Sequence, residues 1–396
     1  HPRVRRQRQM CIRDRNMDNK IVNTNNPIPV LSFFTGGGFM DMGFIQAGFN
    51  VVWTNEIEPA FAKFYEEGIT SWKRKHKLLS KGQKCSISNT NSIKDIPSNT
   101  ILSQAFGKEI PTLFGIIGGP PCQDFSINGN LEGFKGERGS LTDTYLCRIL
   151  DLNPSFFIME NVTGLMRVKK NAKHFLELLE IMSEEYLIDW ETLNSLEFGV
   201  PQSRERIFVV GLNRKHFDLS SITANLNNKW FPFHSKRKYT NPHKQYKWPE
   251  AITFGTKNIE KPQNIPLQLC LASCLVSKDD EFTIPNANEY FNLLGKANQF
   301  AKIKEGETNR PSFKRLHRYK YSPTACYGNN EVHLHPYQHR RLSVREALRI
   351  QGVDDSYVLT TPNLLSKKFK MIGNGVPVPL AKAVAETLKE FIVKLI

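Results

Sequence analysis

Apolar residues cluster in short runs along the first half of the chain, and most runs end at glycine, proline or a polar group. Such runs predict buried strands, here over 28–34, 49–53, 113–117, 156–159 and 207–210. Between them, apolar residues recur at helical spacing, which predicts helices over 41–47, 142–152 and 173–185. The alternation predicts an α/β fold with a doubly wound sheet, because each helix must cover one face of the strands.

The pattern changes after residue 213. Residues 214–335 are rich in asparagine, proline, lysine and aromatic side chains, and strands and helices do not alternate there. We therefore predict one domain over 28–213 and a smaller, irregular domain over 214–340. The last segment, 341–396, ends in an amphipathic pattern and is predicted to return to the first domain.

The charge balance indicates a polyanionic partner. The 396 residues carry 54 Lys+Arg against 38 Asp+Glu, a net charge of +16. Residues 1–16 contain six arginines and one acid with no apolar run, so we interpret them as a non-native leader ahead of a start at Met17. Discounting their +5 leaves +11, which favours nucleic acid. A basic protein with no such partner is the alternative.

Cysteine spacing and hydropathy exclude several classes of protein. The seven cysteines form no CxxC pair, which argues against a disulfide scaffold and against a structural metal site. No run approaches the ~18 apolar residues that a membrane-spanning helix needs. We therefore expect no metal and no membrane partner.

A glycine-rich loop follows the first predicted strand. Gly36, Gly37 and Gly38 form a tight turn of the kind that lets backbone N–H groups approach a nucleotide. Glu56 lies twenty residues after Gly36, where an acid can bind ribose hydroxyls. Asp41 stands where a dinucleotide fingerprint needs its last glycine. This favours a cofactor with cationic groups, such as S-adenosylmethionine, over NAD, while an ordinary tight turn is the alternative.

Three further motifs lie at predicted strand ends. Cys122 follows two prolines after the third strand, so its thiol is held in place, and the glycine-rich stretch 124–139 after it is predicted to close over the thiol. Glu160 follows the fourth strand and could act as an acid. Arg204 and Arg206 alternate ahead of the fifth strand and share one face. The alternatives are a buried structural cysteine, a capped strand end and a salt-bridged edge.

Together, and in this order, these motifs resemble the DNA (cytosine-5) methyltransferases of bacterial restriction-modification systems. The resemblance extends from about residue 28 to 390, except for the variable stretch 214–335. The matching segments are 34–38 (FTGGG), 55–57 (NEI), 118–123 (GGPPCQ), 160–162 (ENV), 199–206 (GVPQSRER), 341–347 (RLSVREA) and 372–377 (IGNGVP).

The resemblance implies a mechanism. The Cys122 thiolate adds to C6 of cytosine, C5 takes the methyl group from S-adenosylmethionine, a base removes the C5 proton and Cys122 leaves. Glu160 engages N3, Arg206 binds the O2 atom and Arg204 supports the site. The cytosine must be flipped out of the duplex, because its ring atoms are out of reach inside the stack.

The resemblance also implies a Rossmann-like methyltransferase fold, with a catalytic and cofactor-binding domain over 28–213 that 341–396 completes. The cofactor residues carried over from the family are Phe34, Thr35, Gly36, Gly37, Gly38, Glu56, Ile57, Ser92, Ile93, Pro121, Leu141 and Asn374. Ser92 stands where the family usually has a carboxylate that meets the adenine amino group, so that contact is expected to be weakened or replaced.

The expected partner is double-stranded DNA, recognised by a target-recognition domain over 214–340. Basic clusters at 236–238 and 314–320 are expected to contact phosphates. We expect a monomer in the prokaryotic cytoplasm or nucleoid, with a possible cognate restriction endonuclease in the same system. The alternatives are a transfer-RNA cytosine-5 methyltransferase and a catalytically inactive relative that binds DNA.

Overall fold

A computed structural model of the chain describes residues 27–121, 140–223, 229–293, 295–327 and 332–396. The predicted leader, Cys122 and the glycine-rich stretch after it therefore lie outside the described residues.

A six-stranded sheet forms the centre of the first domain. Its strands are β1 (Ile28–Phe33), β2 (Phe49–Asn55), β3 (Gly115–Gly118), β4 (Phe156–Val162), β5 (Tyr186–Asn194) and β6 (Glu205–Asn213). Their order across the sheet is β2-β1-β3-β4-β6-β5. Strands β2, β1, β3 and β4 pair in parallel, whereas β6 runs antiparallel to both of its neighbours, β4 and β5. The carboxyl ends of β1, β3 and β4 therefore meet at one edge of the sheet.

Helices cover the sheet on both sides, which confirms the predicted α/β class. The longer helices are α1 (Phe39–Gln46), α2 (Pro59–Lys75), α3 (Ser98–Phe106), α4 (Leu141–Leu152), α6 (Lys169–Met182), α11 (Leu365–Asn374) and α12 (Val378–Leu395). The shorter helices are α5 (Gly164–Arg167), α7 (Ser220–Thr223), α8 (Pro242–Gln245), α9 (Ala297–Ala301) and α10 (Val344–Ile350). Helices α1 and α12 share a core with one face of the sheet, and α3, α4 and α6 share a core with the other.

Two details of the sheet differ from the sequence prediction. Strand β5 was not predicted, because the charged residues Asp189 and Glu191 interrupt its apolar pattern at the edge of the sheet. Strand β4 continues beyond Met159 to Val162, so Glu160 lies within the strand and not after it. Its backbone is thus held by the sheet.

The segment between β6 and α10 is irregular, as predicted. It contains short helical turns and one two-stranded sheet of β7 (Lys314–Arg315) and β8 (His333–Leu334). Its first aromatic residues pack on the C-terminal helix: the ring centroids of Trp230 and Phe391 are 5.4 Å apart. The boundary at residue 213 stays a prediction, but residues near 230 share the core of the first domain.

The two basic clusters expected to contact phosphates are partly used inside the protein. The Lys236 ammonium donates to Glu390 Oε1 on α12 at 2.5 Å. The Arg315 guanidinium is fully buried and donates to the carbonyl oxygens of Phe300, Ile303 and His335. Arg315 therefore stabilises the fold from the interior, whereas the Lys236–Glu390 pair lies at the surface and phosphate contacts of that cluster stay a prediction.

Within the described ranges, no helix is both long enough and apolar enough to cross a membrane.

Candidate active site

The carboxyl ends of β1, β3 and β4 border a cavity of about 230 Å³. Eleven of the twelve residues predicted to bind the cofactor line it. They are Phe34, Thr35, Gly36, Gly37, Glu56, Ile57, Ser92, Ile93, Pro121, Leu141 and Asn374. Gly38 does not line the cavity. It begins α1 at φ +78°, and a Cβ there would lie 2.7 Å from the ring of Tyr65, so this glycine is required by packing and backbone geometry.

Glu56 ties the glycine-rich loop to the end of β2. Its Oε2 atom accepts a hydrogen bond from the backbone N–H of Gly36 and its Oε1 atom accepts one from Glu58, each at 2.8 Å. Burial raises the pKa of this carboxyl, while the two backbone donors oppose the shift. The neighbouring Ile57 side chain is 60 % exposed and lies at the rim. A flat ring could cover this exposed apolar surface.

Asn55 places the segment that carries Ser92 and Ile93. Its side-chain amide donates to the carbonyl oxygens of Asn89 and Asn91 at 2.8 and 2.9 Å. Both backbone acceptors belong to a loop with no strand partner of its own beyond an isolated bridge at Asn89. This side chain therefore brings the predicted adenine-side residues to the cavity.

Asp41 is a second carboxylate of the cavity. It is fully buried, and Ser32 Oγ donates to its Oδ1 atom at 2.6 Å. Its Oδ2 atom has no hydrogen-bond partner among the described residues. Burial raises the pKa of Asp41 to about 6. The sequence analysis used Asp41 as an argument for a cofactor with cationic groups and against NAD, but did not include it among the cofactor-binding residues.

The charges of the cavity discriminate between classes of cofactor. Asp41, Glu56 and Glu160 line it, and the described lining residues include no lysine, arginine or histidine. A pyrophosphate would be repelled by the carboxylates of Glu56 and Asp41, whereas a ligand with sulfonium and ammonium groups would be attracted. The lining therefore fits S-adenosylmethionine, with carboxylate acceptors for hydroxyl groups and apolar surface for a base.

Glu160 and Arg206 form an ion pair at the inner end of the cavity. Arg206 Nε lies 2.8 Å from Glu160 Oε1, and both side chains are buried. Burial raises the pKa of Glu160, and the positive charges of Arg206 and Arg204 partly offset this effect. The carboxyl is thus able to hold a proton closer to neutral pH than an exposed glutamate.

The position next to Glu160 leaves no room for a side chain. A Cβ on Gly119 would lie 2.7 Å from Glu160 Oε2. Beside it, the amide of Asn161 donates to the carbonyl oxygen of Pro120 at 3.2 Å. Strand β4 thereby fixes the backbone that leads to Pro121, the last described residue before Cys122.

Arg204 holds the return segment against the site. Its side chain is fully buried, and its two terminal nitrogens donate to the carbonyl oxygens of Ala325 and Gly373 at 3.1 and 2.7 Å. Burial lowers the pKa of Arg204. Because both contacts are to backbone atoms of later segments, Arg204 holds those segments at the site. Its positive charge also opposes the rise in the pKa of Glu160.

The structure therefore brings Glu160, Arg204 and Arg206 together beside the predicted cofactor residues. Sequence reasoning did not list further lining residues on α1, on α11 and just after α11, namely Phe39, Met40, Met371, Gly375 and Val376. Gly375 and Val376 belong to the 372–377 motif, which was the available signal for this wall. The methionines carry no sequence signal beyond core packing, whereas Phe39 stands where the resembling family usually has a further glycine.

Known proteins match this chain over nearly its whole length. The sequence model of the family described as "C-5 cytosine-specific DNA methylase" matches residues 28–390. Type II methyltransferase M.NmeDI of Neisseria meningitidis serogroup C is 36% identical over 388 residues, 97% of this chain and 89% of that protein. Type II methyltransferase M.FnuDI of Fusobacterium nucleatum is 29% identical, over 91% of this chain and 94% of that protein.

Solved structures share the fold at low identity. The crystal structure of the S. pombe Dnmt2 methyltransferase superimposes with a TM-score of 0.58 at 15% identity, over 93% of this chain and 99% of that one. The structure of the Entamoeba histolytica methyltransferase EhMeth gives a TM-score of 0.55, also at 15% identity. At this identity the likeness concerns the fold alone.

Proposed function

Because the chain belongs to the C-5 cytosine-specific DNA methylase family and is a DNA cytosine-5 methyltransferase, we propose that it methylates C5 of a flipped cytosine in one specific double-stranded sequence, with S-adenosylmethionine as the methyl donor. The observation that carries the proposal is the buried pair of Glu160 and Arg206, which lines or adjoins the cavity where Glu56 holds the glycine-rich loop. A proton donor and a cofactor cradle thus share one cavity.

In this proposal Cys122 and Glu160 act on opposite sides of the cytosine ring system. The Cys122 thiolate forms a bond to C6 while protonated Glu160 gives its proton to N3, so the negative charge does not build up on the ring. The electron pair displaced from the C5–C6 bond makes C5 nucleophilic. After methylation, the N3 proton returns to Glu160, and loss of the C5 proton to a base restores the C5–C6 double bond and expels the Cys122 sulfur.

The two arginines hold this arrangement. Arg206 keeps Glu160 in place through its Nε atom and would bind the cytosine O2 atom, while Arg204 anchors the return segment through Gly373. Positive charge beside the site also favours the thiolate form of Cys122.

The cofactor supplies an electrophilic methyl group on a sulfonium centre when it is bound. Glu56 would accept hydrogen bonds from ribose hydroxyls, Ile57 would cover the adenine ring, and Asp41 would offset positive charge. Ser92 lines the same wall without a carboxylate, so the adenine amino group must find another acceptor there.

The wider biological context belongs to the proposal too. The irregular segment 214–340 would read the DNA sequence, and the enzyme would act as a monomer in the prokaryotic cytoplasm or nucleoid beside a cognate restriction endonuclease. A transfer-RNA substrate is less well supported, because the matching family is described as acting on DNA. An inactive relative is less well supported, because Glu160 and Arg206 are paired and buried as catalysis requires.

Bisulfite sequencing tests the proposal. The full chain is expressed in a host that lacks cytosine methylation, and the host DNA is sequenced after bisulfite treatment. The expected result is protected cytosines in one short sequence context, present for the wild type and lost for Glu160→Gln. Glu184→Gln, at an exposed site on the loop before β5, serves as the control. Unprotected DNA from soluble wild-type protein would overturn the proposal.

A further inference from the structure

A second cavity, of about 590 Å³, lies between β8 and α11. It shares no lining residue with the cofactor cavity. Its walls are mainly aromatic, formed by Phe291, Phe313, Tyr327 and Phe369. The volume is that of a small-molecule pocket, and the aromatic walls suit a planar ring.

Arg341 provides the positive charge of this second cavity. Its guanidinium carbon lies 5.1 Å from the ring centre of Phe291 and 5.5 Å from that of Phe313. Its buried Nε atom has no hydrogen-bond partner among the described residues. No carboxylate is found among the described residues that line this cavity, and burial lowers the pKa of Arg341. The guanidinium thus packs against two aromatic rings, and its Nε–H remains available to donate a hydrogen bond.

Tyr327 is the second polar group of the cavity without a described partner. The residue is only 7% exposed, and its buried hydroxyl has no hydrogen-bond partner among the described residues. Its ring packs edge-on against Phe369 at 5.3 Å. A guanidinium and a hydroxyl facing aromatic walls favour a flat ligand whose edge carries acceptors.

The second cavity and the active site are connected by shared elements of the fold. Helix α11 contributes Phe369 to the second cavity and Met371 to the cofactor cavity. Arg204 donates to the carbonyl oxygen of Ala325, two residues before Tyr327. It also donates to that of Gly373, where a Cβ would lie 2.8 Å from the Tyr327 backbone nitrogen. Helix α11 therefore contributes to both cavities, and Arg204 is hydrogen-bonded to the segments that flank the second one.

We propose that the second cavity receives a guanine of the bound DNA, turned out of the stack and distinct from the target cytosine. Guanine presents two acceptors, O6 and N7, on one edge, and this is the edge that an arginine fork binds best. Flipping a cytosine leaves its guanine partner unpaired, which lowers the cost of moving that guanine. The inference rests on the proposed action on flipped cytosine in duplex DNA.

A guanine within DNA fits better than a free guanine nucleotide. The described lining offers one guanidinium and one histidine, His333, which serve a single base edge. The phosphates of a free nucleotide would add several negative charges that these groups cannot match. In DNA the phosphates would remain outside, on the backbone.

Photo-crosslinking tests the proposal directly. Duplex DNA in which 6-thioguanine replaces guanine is bound to the full chain and irradiated, and the crosslinked residues are mapped by mass spectrometry. We expect crosslinks to Phe313, Tyr327 or Phe369, whose rings line the cavity. Arg341→Lys, which keeps the charge but loses the fork, should reduce these crosslinks about tenfold. The exposed Lys302→Met is the matched control and should leave them unchanged.

The outcomes separate this inference from the proposed function. Wild-type protein that methylates DNA but crosslinks only outside the cavity would overturn the inference alone. Equal crosslinking in Arg341→Lys would also overturn it. If free guanosine monophosphate competes for the crosslinks while unmodified duplex does not, the ligand is a free nucleotide and the DNA proposal is wrong. Absence of methylated DNA would instead count against the proposed function.

Discussion

Arg206 Nε contacts Glu160 Oε1 at 2.8 Å across two antiparallel strands. In the register of β4 and β6, Glu160 is opposite Phe208, so Arg206 is its diagonal neighbour on the same face. The reversed strand β6 therefore brings an arginine that is 46 residues later in the sequence beside the glutamate. The ion pair explains how the Glu160 carboxyl is held in one position although it is buried near the end of β4.

Glu160→Gln should abolish most of the activity and leave cofactor binding intact. Glutamine fits the same space but cannot give a proton to N3, so we expect turnover to fall by about 10²–10⁴-fold. Tritium transfer from labelled S-adenosylmethionine to DNA measures this directly. Turnover of Glu160→Gln within a few-fold of wild type would show that Glu160 is not the acid.

Gly119→Ala should mimic this loss without touching a charged group. The new methyl group would lie 2.7 Å from Glu160 Oε2 and displace the carboxyl. A displacement of about 1 Å can cost roughly 10²-fold in rate. Gly164→Ala is the matched control, because the nearest atom to its Cβ lies at 3.8 Å. Equal turnover of the two alanine variants would contradict the geometry around Glu160.

Glu56→Ala should weaken cofactor binding. The carboxylate would lose its ribose contacts and release the backbone N–H of Gly36. A lost charged hydrogen bond costs roughly 1.5–3 kcal/mol, so the dissociation constant of S-adenosylhomocysteine should rise about 10- to 100-fold. Isothermal titration calorimetry measures it, with the exposed Glu109→Ala as control. Unchanged affinity would mean that Glu56 does not reach the ligand.

Asp41→Asn should stabilise the cofactor-free protein at high pH. The folded-state pKa of Asp41 is raised from 3.8 to about 6, so folding favours its protonated form. That contribution is present below about pH 4 and is lost as the pH rises through 6. The substitution should therefore raise the free energy of unfolding at pH 8 by up to about 3 kcal/mol, and change it little at pH 4.

Urea unfolding of wild type and Asp41→Asn at the two pH values checks this. Ser32→Ala is a useful companion, because it removes the hydrogen bond to Oδ1 but keeps the buried carboxyl. A difference between wild type and Asp41→Asn that is the same at pH 4 and pH 8 would contradict the raised pKa.

Local patterns in the sequence were enough to predict the parts of the site that lie at strand ends. Glu56 and the glycine-rich loop follow from a strand, a turn and an acid at fixed spacing, and the structure brings them together. Glu160 was found in the same way, although its strand is longer than predicted. Parallel strands made this possible, because their carboxyl ends must share an edge.

Residues whose partners are distant in sequence could not be predicted. The ion pair of Lys236 with Glu390 in the last helix could not be predicted from its basic neighbours, although its expected phosphate contact stays a prediction. Arg315 is likewise saturated by three carbonyl oxygens in the fold. The charge of Asp41 near the glycine-rich loop was evident from the sequence, but its raised pKa was not, because burial in the folded chain causes it.

The central claim is a covalent bond between Cys122 and C6 of the target cytosine. Expulsion of the sulfur requires that C5 lose a proton. Fluorine at C5 replaces that proton and cannot be lost as a cation, so the adduct is trapped. A pool of duplexes of randomised sequence with 5-fluorocytosine in every cytosine position samples the short sequence contexts, so the recognised one need not be known. With S-adenosylmethionine present, wild-type protein should form a complex with this DNA that survives denaturation, and Cys122→Ser should form none. A wild type that methylates ordinary DNA yet leaves no such complex would contradict the account.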